Sequence, residues 1–197
     1  MLSDPVGPEL PSGILYLPNF ITEELENAVT QHLDAANWSN ALKRRVQHFG
    51  YRYDYKARRV ASDSYLGPLP EWLQPVGDSL VASGYTSKTP DQVIANEYLP
   101  GQGISAHIDC EPCFGPVVAS LSLLSNCVMV FRNVDSSATA RIILEPCSLV
   151  ILSGESRYLW THEIPARKSD LINGLRQNRD RRISLTFREV LLGTEFI

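Results

Sequence analysis

From Gln92 to Leu191 the chain is dominated by short runs of alternating or continuous apolar residues. "QVIANEYL", "VVASLSLL", "CVMVFRN", "ARIILEP", "SLVILSG" and "RRISLTFREVL" are separated by Gly, Pro, Asn and Ser, a pattern that predicts strands joined by turns. In "VVASLSLL", Val117, Ala119, Leu121 and Leu123 share one face, and Ser120 and Ser122 share the other. In "RISLTFR", Ile183, Leu185 and Phe187 face one way, while Arg182, Ser184, Thr186 and Arg188 face the other. Before Gln92 the period changes. "ILYLPNF" reads as a short strand. "ITEELENAVTQHLDAA" reads as a helix with Thr22 as its N-cap, Glu23 and Glu24 in the first turn, and a face of Leu25, Ala28, Val29 and Leu33. "LPEWLQPVGDSLVASG" predicts a second helix from near Pro70 to Gly84, with Pro75 early in it. The expected fold is mainly β with N-terminal helices, an antiparallel sandwich or jelly roll. Residues 1–197 are read as a single domain, with helices and a polar flap over about 1–91 and a jelly-roll core over about 92–191.

Hydrophobic residues at 44% and charged residues at 20% describe an ordinary globular chain. The formal net charge of −4 means that a nucleic-acid partner must be met by a local basic patch. No apolar run approaches the ~20 residues that span a bilayer, so no membrane partner is expected. The first twenty residues contain Asp4, Glu9 and several prolines and make no apolar signal core, so a cytoplasmic or nuclear location is expected and secretion is not. A monomer is the simplest expectation.

"NEYLPGQGISAHID" gathers Asn96, Tyr98, His107 and Asp109 around a Pro-Gly-Gln-Gly turn. Residues i and i+2 of an extended segment point to the same side, so His107 and Asp109 can approach one ion together. One further histidine would complete a two-His, one-carboxylate facial triad, which leaves positions open on iron(II). His162 follows most of the strands, His32 falls in the first helix, and His48 in the basic stretch. Taken alone, an HxD pair also suits a surface turn, and two arginines on the last strand also suit a solvated edge. Arg182 and Arg188 are ~20 Å apart along the strand, so their arms must bend inward to serve one small ligand. A dicarboxylate matches their forked donors.

Asn96, Tyr98, the "HID" pair, His162 and "RISLTFR" occur in the order found in the AlkB family of iron(II)/2-oxoglutarate dioxygenases, which this chain resembles over about Gln92 to Leu191. The resemblance implies a double-stranded β-helix core with His107, Asp109 and His162 on Fe(II), and 2-oxoglutarate and O2 as cosubstrates. It further implies that Arg182 pairs with the distal carboxylate of 2-oxoglutarate, assisted by Tyr98, and that Asn96 and Arg188 contact its other end. Ser184 stands where many members have asparagine and is a weaker donor. The implied reaction couples oxidative decarboxylation of 2-oxoglutarate to hydroxylation of a C–H bond; a carbon bound to nitrogen is then lost as aldehyde.

"LKRRVQHFGYRYDYKARR" carries Lys43, Arg44, Arg45, Arg52, Lys56, Arg58 and Arg59 with Phe49, Tyr51, Tyr53 and Tyr55 between them. Cations suit phosphates and aromatic faces suit splayed bases, although a solvated hairpin has the same composition. Within the resemblance, Lys43, Arg44, Arg45 and Tyr51 are expected to meet the substrate, and Glu111 to accept from the exocyclic amine of the target base. "LKRRVQHFGY", "NEYLPGQGISAHID" and "GESRYLWTH" are most similar to the branch that oxidises a modified wobble uridine of tRNA, and 197 residues leave no room for that branch's accompanying domains. RNA (tRNA) or DNA is the expected substrate; the alternatives are a protein hydroxylase or demethylase, and a nucleic-acid-binding module with a vestigial iron site. Cys110 and Cys113 are expected to be free thiols, with zinc as the alternative.

Overall fold

The computed structural model describes residues 10–192. Two sheets face each other. The six-stranded sheet has the order β1 (Ile14–Leu17), β8 (Ser148–Leu152), β5 (Phe114–Leu123), β12 (Arg182–Val190), β3 (Gln92–Tyr98), β2 (Arg45–Phe49). The four-stranded sheet has the order β4 (Ile104–His107), β9 (Trp160–Ile164), β6 (Cys127–Asn133), β7 (Thr139–Leu144). A hairpin of β10 (Ser169–Ile172) and β11 (Leu175–Asn178) follows β9. The jelly-roll expectation is met, and β1 and β2 show that the first 91 residues supply both edges of the larger sheet as well as helices.

The alternation read from the sequence sorts the residues of β12 between two environments. Ile183, Leu185 and Phe187 join Val93, Ala95, Ala119, Leu121 and Leu123 in a core against Val29 and Leu33 of α1 (Glu23–Ala35) and Val76 and Leu80 of α2 (Gln74–Ala82). Each such fully buried aliphatic side chain stabilises the fold by roughly 1.5–3 kcal/mol. The helix α1 starts where the Thr22 hydroxyl accepts from the Leu25 N–H, with Glu23, Glu24 and Glu26 in the first turn. Pro75 lies in the first turn of α2, and Gly84, at φ +72°, lies just past its end. On its other face β12 turns Arg182, Ser184, Thr186 and Arg188 into the space between the sheets. There Met129, Phe131, Val150, Leu152 and Ile164 form a second core beside the cleft.

Candidate active site

His107 and His162 are brought together by strand pairing. β4 and β9 are antiparallel, and His107 lies directly opposite His162, with ring centroids 4.4 Å apart. The Pro-Gly-Gln-Gly turn makes this approach possible. Gly101 has φ +94°, and a Cβ on Gly103 would sit 2.1 Å from the Ile164 carbonyl oxygen. Asp109 follows two residues after His107, and the ligating atoms of His107, Asp109 and His162 all lie within 4.8 Å of one another. His107 Nδ1 lies 2.8 Å from the Ser105 carbonyl, which can only accept, so Nδ1 carries the proton and Nε2 keeps its lone pair.

Asp109 is buried, and burial alone would raise its pKa. The charge of Arg188, in contact with the carboxylate, outweighs burial and holds the carboxyl well below its usual range. Burial pushes His162 down to about 4, so the imidazole is neutral near pH 7. An ionised Asp109 carboxylate and a neutral His162 imidazole are the protonation states a divalent metal needs of those two ligands. Arg188 donates to both Asp109 oxygens, Nε at 3.1 Å and Nη2 at 3.3 Å, and from Nη1 to Gln92 Oε1 at 3.3 Å. Its partner is thus the metal-side carboxylate, where the sequence reading expected the cosubstrate.

The cleft of about 620 Å³ reaches from this cluster to Arg182, a volume suited to a small-molecule ligand. Arg182 is 2% exposed. Its Nη2 donates to Ser122 Oγ at 2.8 Å, its guanidinium carbon lies 5.4 Å from the Tyr98 ring centroid, and its Nε and Nη1 have no partner. A buried guanidinium with orphaned donors is costly unless an anion completes it. A carboxylate at this end and metal-chelating oxygens at the other fit 2-oxoglutarate. Ser184 and Asn96 stand opposite each other on β12 and β3 and both line the cleft; Asn96 Oδ1 accepts from Arg44 Nε at 2.8 Å.

The structure separates the residues expected to meet substrate. Arg44 lines the cleft. Arg45 does not: it lies opposite Glu97 on β3, and Nη2 donates to Glu97 Oε1 at 2.7 Å, on the helix-covered side of the sheet. Lys43 is exposed and accepts through its carbonyl from Gln102 Nε2 at 2.8 Å. Tyr51 packs against Tyr65, with centroids 4.9 Å apart, and Glu111 is an exposed residue of a short 3-10 turn; none of these three lines the cleft. In their place Tyr53, Tyr55 and Arg58 form its aromatic and cationic wall. Ser122, Gln92 and Arg157 were also missed. Ser122 was signalled by its inward position in "VVASLSLL"; Arg157 carried no sequence signal.

Cys110 and Cys113 are joined in a disulfide, a correction to the free-thiol expectation. The turn Glu111–Cys113 explains it: Cys113 N–H donates to the Cys110 carbonyl at 3.2 Å, and the Cα atoms are 5.3 Å apart, within bridging range. Cys127 and Cys147 are free and lie in the two separate cores, so no four-sulfur set forms.

His48 is bound outside the cluster. Nδ1 accepts from the Tyr53 N–H at 3.3 Å, and Tyr55 Oη lies 3.4 Å from Nε2. Burial, with Arg52 and Arg188 nearby, lowers its pKa to about 4 from 6.5. Between these values the unfolded chain binds the proton and the folded one does not, so stability is complete above pH 6.5 and falls as the pH drops toward 4. His48 accounts for up to about 3 kcal/mol of that loss. Denaturant unfolding of wild type and His48→Gln across this window checks it: the variant should show the shallower pH dependence, and equal slopes would contradict the assignment.

The chain matches the 2OG-Fe(II) oxygenase superfamily over residues 13–188. It is 35% identical over 201 residues to the Arabidopsis thaliana "Alkylated DNA repair protein ALKBH8 homolog", covering 90% of this chain and 58% of that protein. To the Mus musculus "tRNA (carboxymethyluridine(34)-5-O)-methyltransferase ALKBH8" it is 37% identical over 208 residues, covering 92% of this chain and 31% of that one. The chain therefore spans about a third to three-fifths of the length of these two relatives. "The structure of OsALKBH1" superposes with TM-score 0.69 at 20% identity, covering 92% of this chain and 99% of that one, a likeness of fold. With that fold, and with its His, Asp and His brought to one point by strand register, this chain belongs to the 2OG-Fe(II) oxygenase superfamily and is an AlkB homologue.

Proposed function

We propose that the protein is an iron(II)- and 2-oxoglutarate-dependent oxygenase that hydroxylates or oxidatively dealkylates a modified nucleobase in RNA or DNA, tRNA first. The observation that carries this reading is the pairing of Arg182, buried with two unpartnered nitrogens, with the His107–Asp109–His162 cluster at opposite ends of one cleft. His107, Asp109 and His162 would hold the metal. Arg182 and the Tyr98 ring would hold the distal carboxylate of 2-oxoglutarate, with Asn96 and Ser184 between. With O2 as the oxidant, bound iron(II) and 2-oxoglutarate would supply the means to oxidise a C–H bond: 2-oxoglutarate would lose carbon dioxide and take one oxygen atom to become succinate, and the other oxygen atom would go to the substrate carbon. Arg188 keeps Asp109 ionised and aimed.

A nucleobase is favoured by the aromatic wall of the cleft, where Tyr53 and Tyr55 lie edge to face at 5.2 Å with Arg58 in the same lining. A base must leave its stack to enter such a cleft, and aromatic faces and cations compensate for that. The relatives' names, tRNA in one and alkylated DNA in the other, support the same class. The test supplies iron(II) and 2-oxoglutarate with tRNA, with N-alkylated DNA or with lysine- and proline-containing peptides, and follows succinate and nucleoside or peptide mass. Succinate coupled to a changed nucleoside is expected; coupling to peptides alone would favour the protein-substrate reading, and no turnover the binding module.

Neutralising Lys56, Arg58 and Arg59 together should weaken single-stranded RNA binding and reduce the log-log salt slope by about 0.7 for each phosphate that no longer meets a cation. Tyr53→Ala should cost ~1–3 kcal/mol with little change in that slope. Filter binding at several salt concentrations separates the two. An unchanged slope in the triple variant would remove the flap cations from the interface.

A further inference from the structure

Arg157 is 2% exposed and is among the largest fully buried side chains of the protein. It lies in the short helix α3 (Gly154–Tyr158), five residues before His162. Its hydrogen bonds all go to main-chain carbonyls: Nη1 to Asp109 at 2.8 Å, Nη2 to Cys110 and Phe114 at 3.4 Å each, and Nε to Gly115 at 3.4 Å. Its guanidinium carbon sits 5.0 Å from the Tyr158 ring centroid. No carboxylate is bonded to it among the described residues.

A buried cation satisfied only by carbonyl dipoles is an unfavourable way to fill space, since an apolar side chain of the same size would avoid the desolvation. What the guanidinium provides is geometry. Its fork is planar and rigid, and here one fork spans both ends of the segment from Asp109 to Gly115, which contains the Cys110–Cys113 turn. The segment leads from the end of β4, which carries His107, into the first two residues of β5. Arg157 itself is anchored immediately before β9, which carries His162. One side chain therefore ties the main chain at Asp109 to the element that delivers His162.

We propose that Arg157 is a positioning residue of the metal centre: it fixes the Asp109 main chain relative to β9, and so sets the distance and angle at which the Asp109 carboxylate meets the two imidazoles. Arg188 orients the same carboxylate from the side-chain end, and Arg157 orients it from the backbone end. The proposal rests on the metal-site reading above.

The test is metal affinity, measured without substrate. Mn(II) is titrated into the full chain and free ion is followed by electron paramagnetic resonance; Co(II) absorption reports coordination geometry. Arg157→Gln and Arg157→Lys should each bind Mn(II) about 10–100-fold more weakly than wild type, with altered Co(II) bands. Lysine keeps the charge but cannot bridge the Asp109 and Gly115 carbonyls with one planar group, so it should restore thermal stability more than metal affinity. Should Arg157→Gln fail to fold, Arg157→Lys decides. Wild-type Mn(II) affinity and Co(II) bands in a folded variant with a lowered Tm would make Arg157 a structural residue only and overturn the proposal. Failure of the wild type to bind either metal would instead overturn the metal-site reading, and this inference with it.

Discussion

His162→Ala is expected to abolish 2-oxoglutarate turnover while leaving the fold intact, and His107→Ala and Asp109→Ala to abolish turnover as well. No other histidine can replace the one removed. His32 stacks on Trp72 at 5.2 Å, and His48 is occupied by Tyr53 and Tyr55. The three variants should differ in stability. Asp109→Ala strands the buried Arg188 guanidinium, and breaking such a pair costs about 3–5 kcal/mol. His162→Ala removes a neutral imidazole and strands no charge, so it is the cleaner test. Succinate formation by mass spectrometry, beside a thermal melt of each variant, separates lost chemistry from lost fold. Wild-type turnover in a folded His162→Ala protein would sink the triad.

The sequence makes β12 legible because one face is uniformly apolar and the other carries two arginines, and a period of two leaves one way to lay that strand on a core. β9 was harder. "WTHEI" is mostly polar and only half-buried, so its place beside β4 follows from pairing, which no local pattern encodes. The β10–β11 hairpin was marked by Asn173-Gly174, both at positive φ as its tight turn requires, a signal present but unread. The basic stretch shows the reverse case. Its composition was plain, yet which cations meet the cleft depends on register. Pairing Arg45 with Glu97 sends that arginine to the helix side, and Arg44, one residue earlier, goes to the cleft. Arg157 was invisible for a related reason: its partners are carbonyls more than forty residues away, and carbonyls have no sequence identity.

Arg182→Met is expected to do two opposite things. The ligand-free protein should become more stable, because a buried guanidinium with Nε and Nη1 unpartnered is replaced by an apolar side chain of similar length. Replacing a buried charge in this way is often neutral or stabilising by about 1–4 kcal/mol. At the same time 2-oxoglutarate should no longer protect the protein against unfolding, whereas wild type should gain about 2.7 kcal/mol at a ligand concentration about a hundred times Kd. Arg182→Lys should fall between. It keeps a charge near the Tyr98 ring but loses the planar fork, and one charge-assisted hydrogen bond is worth about 1.5–3 kcal/mol, so affinity should drop about 10- to 150-fold. Stability given up for function thus shows as a protein that improves in the absence of its ligand and fails in its presence. Denaturant unfolding with and without 2-oxoglutarate measures both quantities at once. Wild-type protection by 2-oxoglutarate in Arg182→Met would mean that the cosubstrate lies elsewhere in the cleft, and that the orphaned nitrogens of Arg182 await a different anion.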